Sequence, residues 1–181
     1  MSKAKLTITE ALAEVKTIEK RIQKKREFVM SYLYRQEALK DPLAKEGGSG
    51  AAIDRELQAI RDLADRHVAI RAAIARANAE TTLSVNGTTR SVADWLTFRR
   101  EVAPTSSQFL REVRGRIDAV RSEASKRGFV TVAAGAEARP GDVVVNLDEM
   151  TLAKDIEAME ETLGQLDGAL SLKNATTFVD L

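Results

Sequence analysis

Cysteine is absent from the 181 residues, and with it go disulfide scaffolds, thiol catalysis and every thiolate metal site. Histidine occurs once, as His67. A histidine metal site, a triad or a Glu-x-x-His di-iron arrangement therefore lacks its ligands. Aromatic residues make up only 4%, too few for a platform of stacked bases between basic side chains. No apolar run approaches the ~20 residues that a membrane helix needs. Met1-Ser2-Lys3-Ala4-Lys5 leads into an amphipathic stretch and not into a signal-type apolar segment, which sets the expectation of an intracellular origin. Gly-x-Ser-x-Gly, His-Glu-x-x-His, a Walker lysine and the dinucleotide glycine fingerprint are all missing. The expectation is a chain without catalytic residues, cofactor or metal.

What is present is patterned. Hydrophobic residues make up 44% and charged residues 30%, enough apolar material for one domain or one domain with an appendage. The net charge of +1 hides an asymmetry. Residues 1–80 and 81–140 each carry +4, whereas residues 141–181 hold two Lys against nine Asp and Glu, a net of −7. Such a split can mark a basic partner site beside an acidic end. The reading we favour is that the acidic end packs on the basic part of its own chain or of a neighbouring copy, because its carboxylates lie on a well-patterned helix.

Thr7 followed by Glu10 fits a capping box at the start of a helix. Leu12, Val15, Ile18, Ile22, Val29 and Leu33 then form one helical face running to about Leu39. The face lapses at Lys24-Lys25-Arg26, which points to solvent or an acidic partner there. Asp41-Pro42 ends the helix, and Gly47-Gly48-Ser49-Gly50 reads as a hairpin loop. A second helix spans about Ala52 to Ala79. His67 falls within its apolar seam and is expected to be partly buried with a hydrogen-bonded ring. Asn86-Gly87 between β-branched residues predicts a type I′ hairpin. Ser91 and Asp94 open a third helix; Pro104 predicts a break or kink, with a restart capped by Thr105-Ser106-Ser107. Phe129–Val132 and Val143–Val145 read as a second, longer hairpin. A last helix from about Asp148 to Leu172 carries Leu152, Ile156, Met159, Leu163, Leu166 and Leu170 at 4-3-4-3-4 spacing, the seam of a bundle helix.

The expected fold is mainly α: an elongated antiparallel helical hairpin or bundle with two small β-hairpins. Its parts are a long hairpin at 1–80, β-hairpins and bundle helices at 81–173 packed on it, and an extended tail at 174–181. Arg99, Arg100, Arg111, Arg114, Arg116 and Arg121 cluster on the third helical region. They can meet nucleic-acid phosphates, or they can pair with the acidic last helix, which is the reading we favour. Arg111, Arg114 and Arg121 are thus the candidate partner-binding cations. Phe178 and Val179 are candidates for adding a strand to a hairpin edge in this chain or a neighbour.

Ile74-Ala75-Arg76-Ala77-Asn78, followed by Thr81-Thr82-Leu83 and Asn86-Gly87-Thr88, resembles the septicolysin-like family over roughly residues 6–100. Those small bacterial proteins join an N-terminal helical hairpin through a similar stretch to further helices. The resemblance implies that fold and a cytoplasmic bacterial protein, and it carries over no active-site residue. More loosely, long helices joined to small β-hairpins and a β-prone tail look like the small structural proteins of tailed-bacteriophage virions. That analogy implies a repeated virion component made in the host cytoplasm, with copies of itself and other structural proteins as partners.

Overall fold

The computed structural model describes residues 5–180. In chain order the elements are β1 (Leu6–Thr7), α1 (Ile8–Tyr32), a 3-10 turn (Ala44–Glu46), α2 (Gly48–Glu80), β2 (Thr82–Val85) and β3 (Thr88–Ser91). They continue with α3 (Val92–Thr97), a π turn (Phe98–Val102), α4 (Ala103–Lys126), β4 (Thr131–Ala133), β5 (Val143–Val145), α5 (Glu149–Thr176) and β6 (Phe178–Val179). The fold is mainly α, with three two-stranded sheets among the described residues. The chain forms two compact units, one of Met1–Thr81 with Ser171–Leu181 and one of Thr82–Leu170. The described tail residues, 174–180, therefore belong with the N-terminal helices.

In the first unit, the capping box forms as expected. Glu10 N donates to Thr7 Oγ1 at 3.2 Å, and Thr7 N donates to Glu10 Oε2 at 2.8 Å. These bonds favour the Glu10 carboxylate and hold its pKa below the ordinary value. Lys25 meets Glu56 at 2.7 Å while Glu14 meets Arg66 at 2.9 Å, so α1 and α2 run antiparallel. Ile8, Ala11, Val15 and Ile18 of α1 close on Ile70, Ala73 and Ile74 of α2. Lys25 fills the lapse in the α1 stripe and finds the acidic partner there. His67 is half-buried, its Nε2 3.3 Å from Glu19 Oε1, as the seam position implied.

Helix α1 ends at Tyr32, short of Leu39. Leu33, the next residue of the stripe, is 56% exposed. A helix is held mainly by what covers its apolar face, and past Val29 that cover runs out. Arg35 then folds onto the carbonyl of Leu39 at 2.8 Å and closes a turn in place of further helix.

The glycine run is also more ordered than a plain loop. Gly47 (φ 95°) makes the left-handed turn, and Gly48-Ser49-Gly50 is the first turn of α2. Asp41 caps that turn from outside the helix. It accepts from Ser49 N at 2.8 Å, Ser49 Oγ at 2.6 Å and Leu43 N at 2.8 Å. The same bonds keep the Asp41 pKa below its usual value. Asp41-Pro42 therefore does not end the first helix, which has stopped at Tyr32; Asp41 serves instead to begin the next helix in space.

The tail finds its sheet edge within this chain. Val179 pairs with Leu6 and Phe178 with Thr7, antiparallel. Val179 is buried to 1% exposure in the α1–α2 core, while Phe178 remains 57% exposed.

In the second unit, Asn86 (φ 47°) and Gly87 (φ 75°) supply the two positive-φ positions of the hairpin turn between β2 and β3. Leu83, Val85, Val92 and Trp95 pack on Leu166 and Leu170 of α5. Trp95 Nε1 donates to Leu83 O at 2.9 Å, which satisfies the indole as it is buried. Arg90 lies over the Trp95 ring at 5.1 Å.

Ser91 caps α3 by accepting from Asp94 N at 3.0 Å. Pro104 does not break the helical run, and Thr105-Ser106-Ser107 cap nothing. Ala103 N instead bonds Phe98 O across a π turn. The widened turn makes room for the proline ring, which would otherwise clash with the carbonyl four residues back. Thr105 Oγ1 turns back to Glu101 O at 3.0 Å, inside a run that never stops.

The second strand pair is parallel and not a hairpin, with Thr131 opposite Val143 and Ala133 opposite Val145. Parallel strands usually need a crossover of a dozen or more residues. Here each strand is three residues, so the return path is only ~10 Å, within reach of residues 134–142 at ~3.3 Å per residue.

The buried Val179 yields a prediction. A chain ending at residue 176 should lose the β1–β6 pair and the Val179 side chain, lowering stability by at least ~1.5 kcal/mol. Urea denaturation of the two forms checks it; coincident midpoints would show that the tail strand contributes nothing to the core.

Candidate interaction surfaces

The arginines of the third helical region divide into two groups. Arg99 meets Asp167 at 2.7 Å, Arg111 meets Glu160 at 3.2 Å, and Arg121 forks onto Glu149, with Nη2 to Oε2 at 2.7 Å. Arg121 also reaches Asp118 at 3.2 Å and Thr131 Oγ1 at 3.3 Å. Its bonds to Glu149 raise an already high pKa further. Two of the candidate cations, Arg111 and Arg121, thus join α4 to the carboxylates of α5. The third, Arg114, is exposed and has no ion pair among the described residues; Arg100 and Arg116 share that state.

The seam of α5 is buried unevenly. Leu152, Leu166 and Leu170 are buried, whereas Ile156, Met159 and Leu163 are half-buried. The middle of the helix therefore lies against a shallower part of its unit. Asp148 starts the helix, accepting from Met150 N at 3.0 Å and Thr151 Oγ1 at 2.6 Å, and its pKa is lowered by both bonds.

One surface escaped the sequence reading. Phe109, Val113 and Ile117 of α4 line an apolar groove of about 480 Å3 with Val145 and Leu147, and Glu112 and Arg116 stand among them. Phe109 is 62% exposed and Leu147 is 44% exposed. A signal was available, since residues 109, 113 and 117 recur at four-residue steps and share one helix row. Leu110, Val113, Ile117 and Val120 make a regular helical series of their own, and Phe109 beside it does not stand out in the sequence.

The loop before β5 is tied by Asp142. Its carboxylate accepts from Val130 N at 3.1 Å and Arg139 N at 2.9 Å, and the guanidinium of Arg139 lies 3.3 Å away. The side chain is almost wholly covered, at 3% exposure. Backbone donors of Arg139 and Val130, with the Arg139 side chain, push its pKa down to about 2. The Phe129 ring occupies the space that a side chain at Gly141 would need, and the φ of Gly141 is 104°.

Among the described residues, no three His, Asp or Glu side chains are grouped as metal ligands, and no helix is long and apolar enough to cross a membrane. No protein-family model matches the chain. No curated protein matches it either. The fold is similar to a crystal structure of a functionally unknown conserved protein from Corynebacterium diphtheriae. The TM-score is 0.59 at 16% identity, over 98% of this chain and 100% of that one. At that identity the likeness is one of fold.

Two expectations follow for the loop. The Asp142 carboxylate is favoured in the folded chain, so its contribution is complete above the ordinary Asp pKa of 3.8 and is lost as pH falls toward about 2. Amide exchange at Val130 and Arg139 should accelerate across that window, relative to amides of α2; parallel behaviour would remove Asp142 as the tie. Separately, Gly141→Ala forces a side chain into positive φ and into the Phe129 ring. It should cost ~1–3 kcal/mol, read as a lower denaturation midpoint.

Proposed function

We propose that this chain is a non-enzymatic structural or assembly protein that works by contact with copies of itself and with other structural proteins, as a repeated component of a bacteriophage particle. The observation that carries the reading is apolar surface left open beside finished cores. Phe109 and Leu147 flank a formed groove, and Met30, Leu33 and Tyr34 stand out at 67%, 56% and 87% exposure. Grouped apolar exposure of this kind marks protein contact.

Asp41, Asp142, Asp148 and Glu10 are all displaced toward the charged form by bonds that cap helices or tie a loop, so these four carboxylates serve the fold. The phage assignment itself draws on the architectural likeness of long helices, small strand pairs and a β-prone tail. A cytoplasmic bacterial protein of the septicolysin-like kind is the second reading, resting on the Ile74–Asn78, Thr81–Leu83 and Asn86–Thr88 resemblance. Neighbouring capsid and tail genes would separate the first from the second.

Size-exclusion chromatography with light scattering tests the assembly reading. A mass of several copies that rises with concentration is expected, together with the chain's peptides in purified particles. A single-copy mass at every concentration, with no peptide in any particle, overturns it.

A further inference from the structure

The ion pairs inside each unit leave a remainder, and the two remainders are opposite. Met1–Thr81 with Ser171–Leu181 holds 17 Lys and Arg against 13 Asp and Glu, a net of +4. Thr82–Leu170 holds 11 against 14, a net of −3.

On α1, Glu14 is engaged by Arg66 and Glu19 by His67 and Arg71 of α2, while Glu10 closes the capping box with Thr7 and Glu27 accepts from Gln23 Nε2 at 2.9 Å. Lys16, Lys20 and Lys24 are exposed and have no ion pair among the described residues. They stand at four-residue steps on the side of α1 turned away from Val15 and Ile18, a basic row ~12 Å long.

On α5, residues 149–170 carry six carboxylates and one cation, Lys154. Arg99, Arg111 and Arg121 of the same unit engage Asp167, Glu160 and Glu149. Glu157 and Glu161 are exposed, without an ion pair among the described residues, on the side turned away from Leu152 and Leu166. They too are four residues apart, so their spacing matches that of the lysine row.

We propose that copies of this chain associate head to tail, the Lys16–Lys20–Lys24 face of α1 on one copy docking on the Glu157–Glu161 face of α5 on the next. The proposal rests on the self-association reading above and names its surfaces. Because the two faces differ, the contact is heterologous, and each copy keeps one free face of each sign. Such contacts propagate into rings or filaments, the form that a repeated component needs. Exposed charges drive the contact, so it weakens as the Debye length shrinks from ~10 Å at 0.1 M salt to ~3 Å at 1 M.

Two double variants test it, Lys20→Glu with Lys24→Glu, and Glu157→Lys with Glu161→Lys. All four positions are exposed, so both variants should keep the wild-type melting curve. Each variant carries like charges on both faces, and each alone should associate about tenfold or more weakly than wild type. Mixed in equal amounts, they present opposite faces at every junction and should regain the wild-type mass by light scattering. Variants that each assemble like wild type overturn the named surfaces and leave self-association standing. Loss in both variants without recovery on mixing overturns the pairing. A wild type that stays single-copy at 0.05 M salt overturns this proposal and the reading beneath it. Single-copy wild type that binds duplex DNA through the lysine row would instead identify a polyanion as the occupant.

Discussion

Each long helix of this chain has a narrow apolar stripe and a wide charged surround, and no such helix is stable until its stripe is covered. The packing of Ile8, Val15 and Ile18 against Ile70 and Ile74 is therefore what the first unit rests on. Where cover exists the helix continues; where it stops, at Leu33, the helix stops within a residue. The same constraint recruits the tail. Val179 completes the covering of α1 beside Ile8, and backbone pairing with Leu6 holds it there. In the second unit Trp95 plays the comparable part, a large side chain that unites hairpin, α3 and α5 around one buried centre.

Features that depend on local chemistry were legible in the sequence. The Thr7–Glu10 box, the Asn86-Gly87 turn and the half-buried His67 each follow from side chains within a few residues or from helical periodicity. Features that depend on distant partners were not. Pro104 signals a break only if the helix keeps a 3.6-residue period, and a π turn removes that premise. Two valine-rich strands announce pairing but not its direction, which residues 134–142 and the grip of Asp142 decide. Val179 reads as a residue able to add a strand to an edge of this chain or a neighbour, and only the placement of Leu6 decides which. Of the candidate contact residues, the arginine positions were visible as a cluster. Their partition into paired Arg111 and Arg121 and unpaired Arg114 required the placement of α5.

The charged residues serve two different purposes. Asp41, Asp142 and Asp148 are structural acceptors, each gathering backbone or hydroxyl donors that the chain would otherwise leave unsatisfied. Lys16, Lys20 and Lys24 of α1 and Glu157 and Glu161 of α5 have no ion pair among the described residues, although Glu161 accepts from Gln165 Nε2. Charge of the first kind fixes the local fold, whereas charge of the second kind sets what the surface attracts and at what salt.

The first unit is assembled from two segments of the chain, with residues 82–170 lying between them. During synthesis the α1–α2 hairpin leaves the ribosome before those intervening residues and must wait for β6 before Val179 can seat. The second unit, whose residues are contiguous, is complete first. Domains ordinarily mature from the N-terminus onward; here the order is inverted, and the apolar side of Ile8 and Ile70 stays incompletely covered until β6 has emerged. That interval is when the nascent hairpin is most exposed to chaperones, and to other hairpins emerging from the same message.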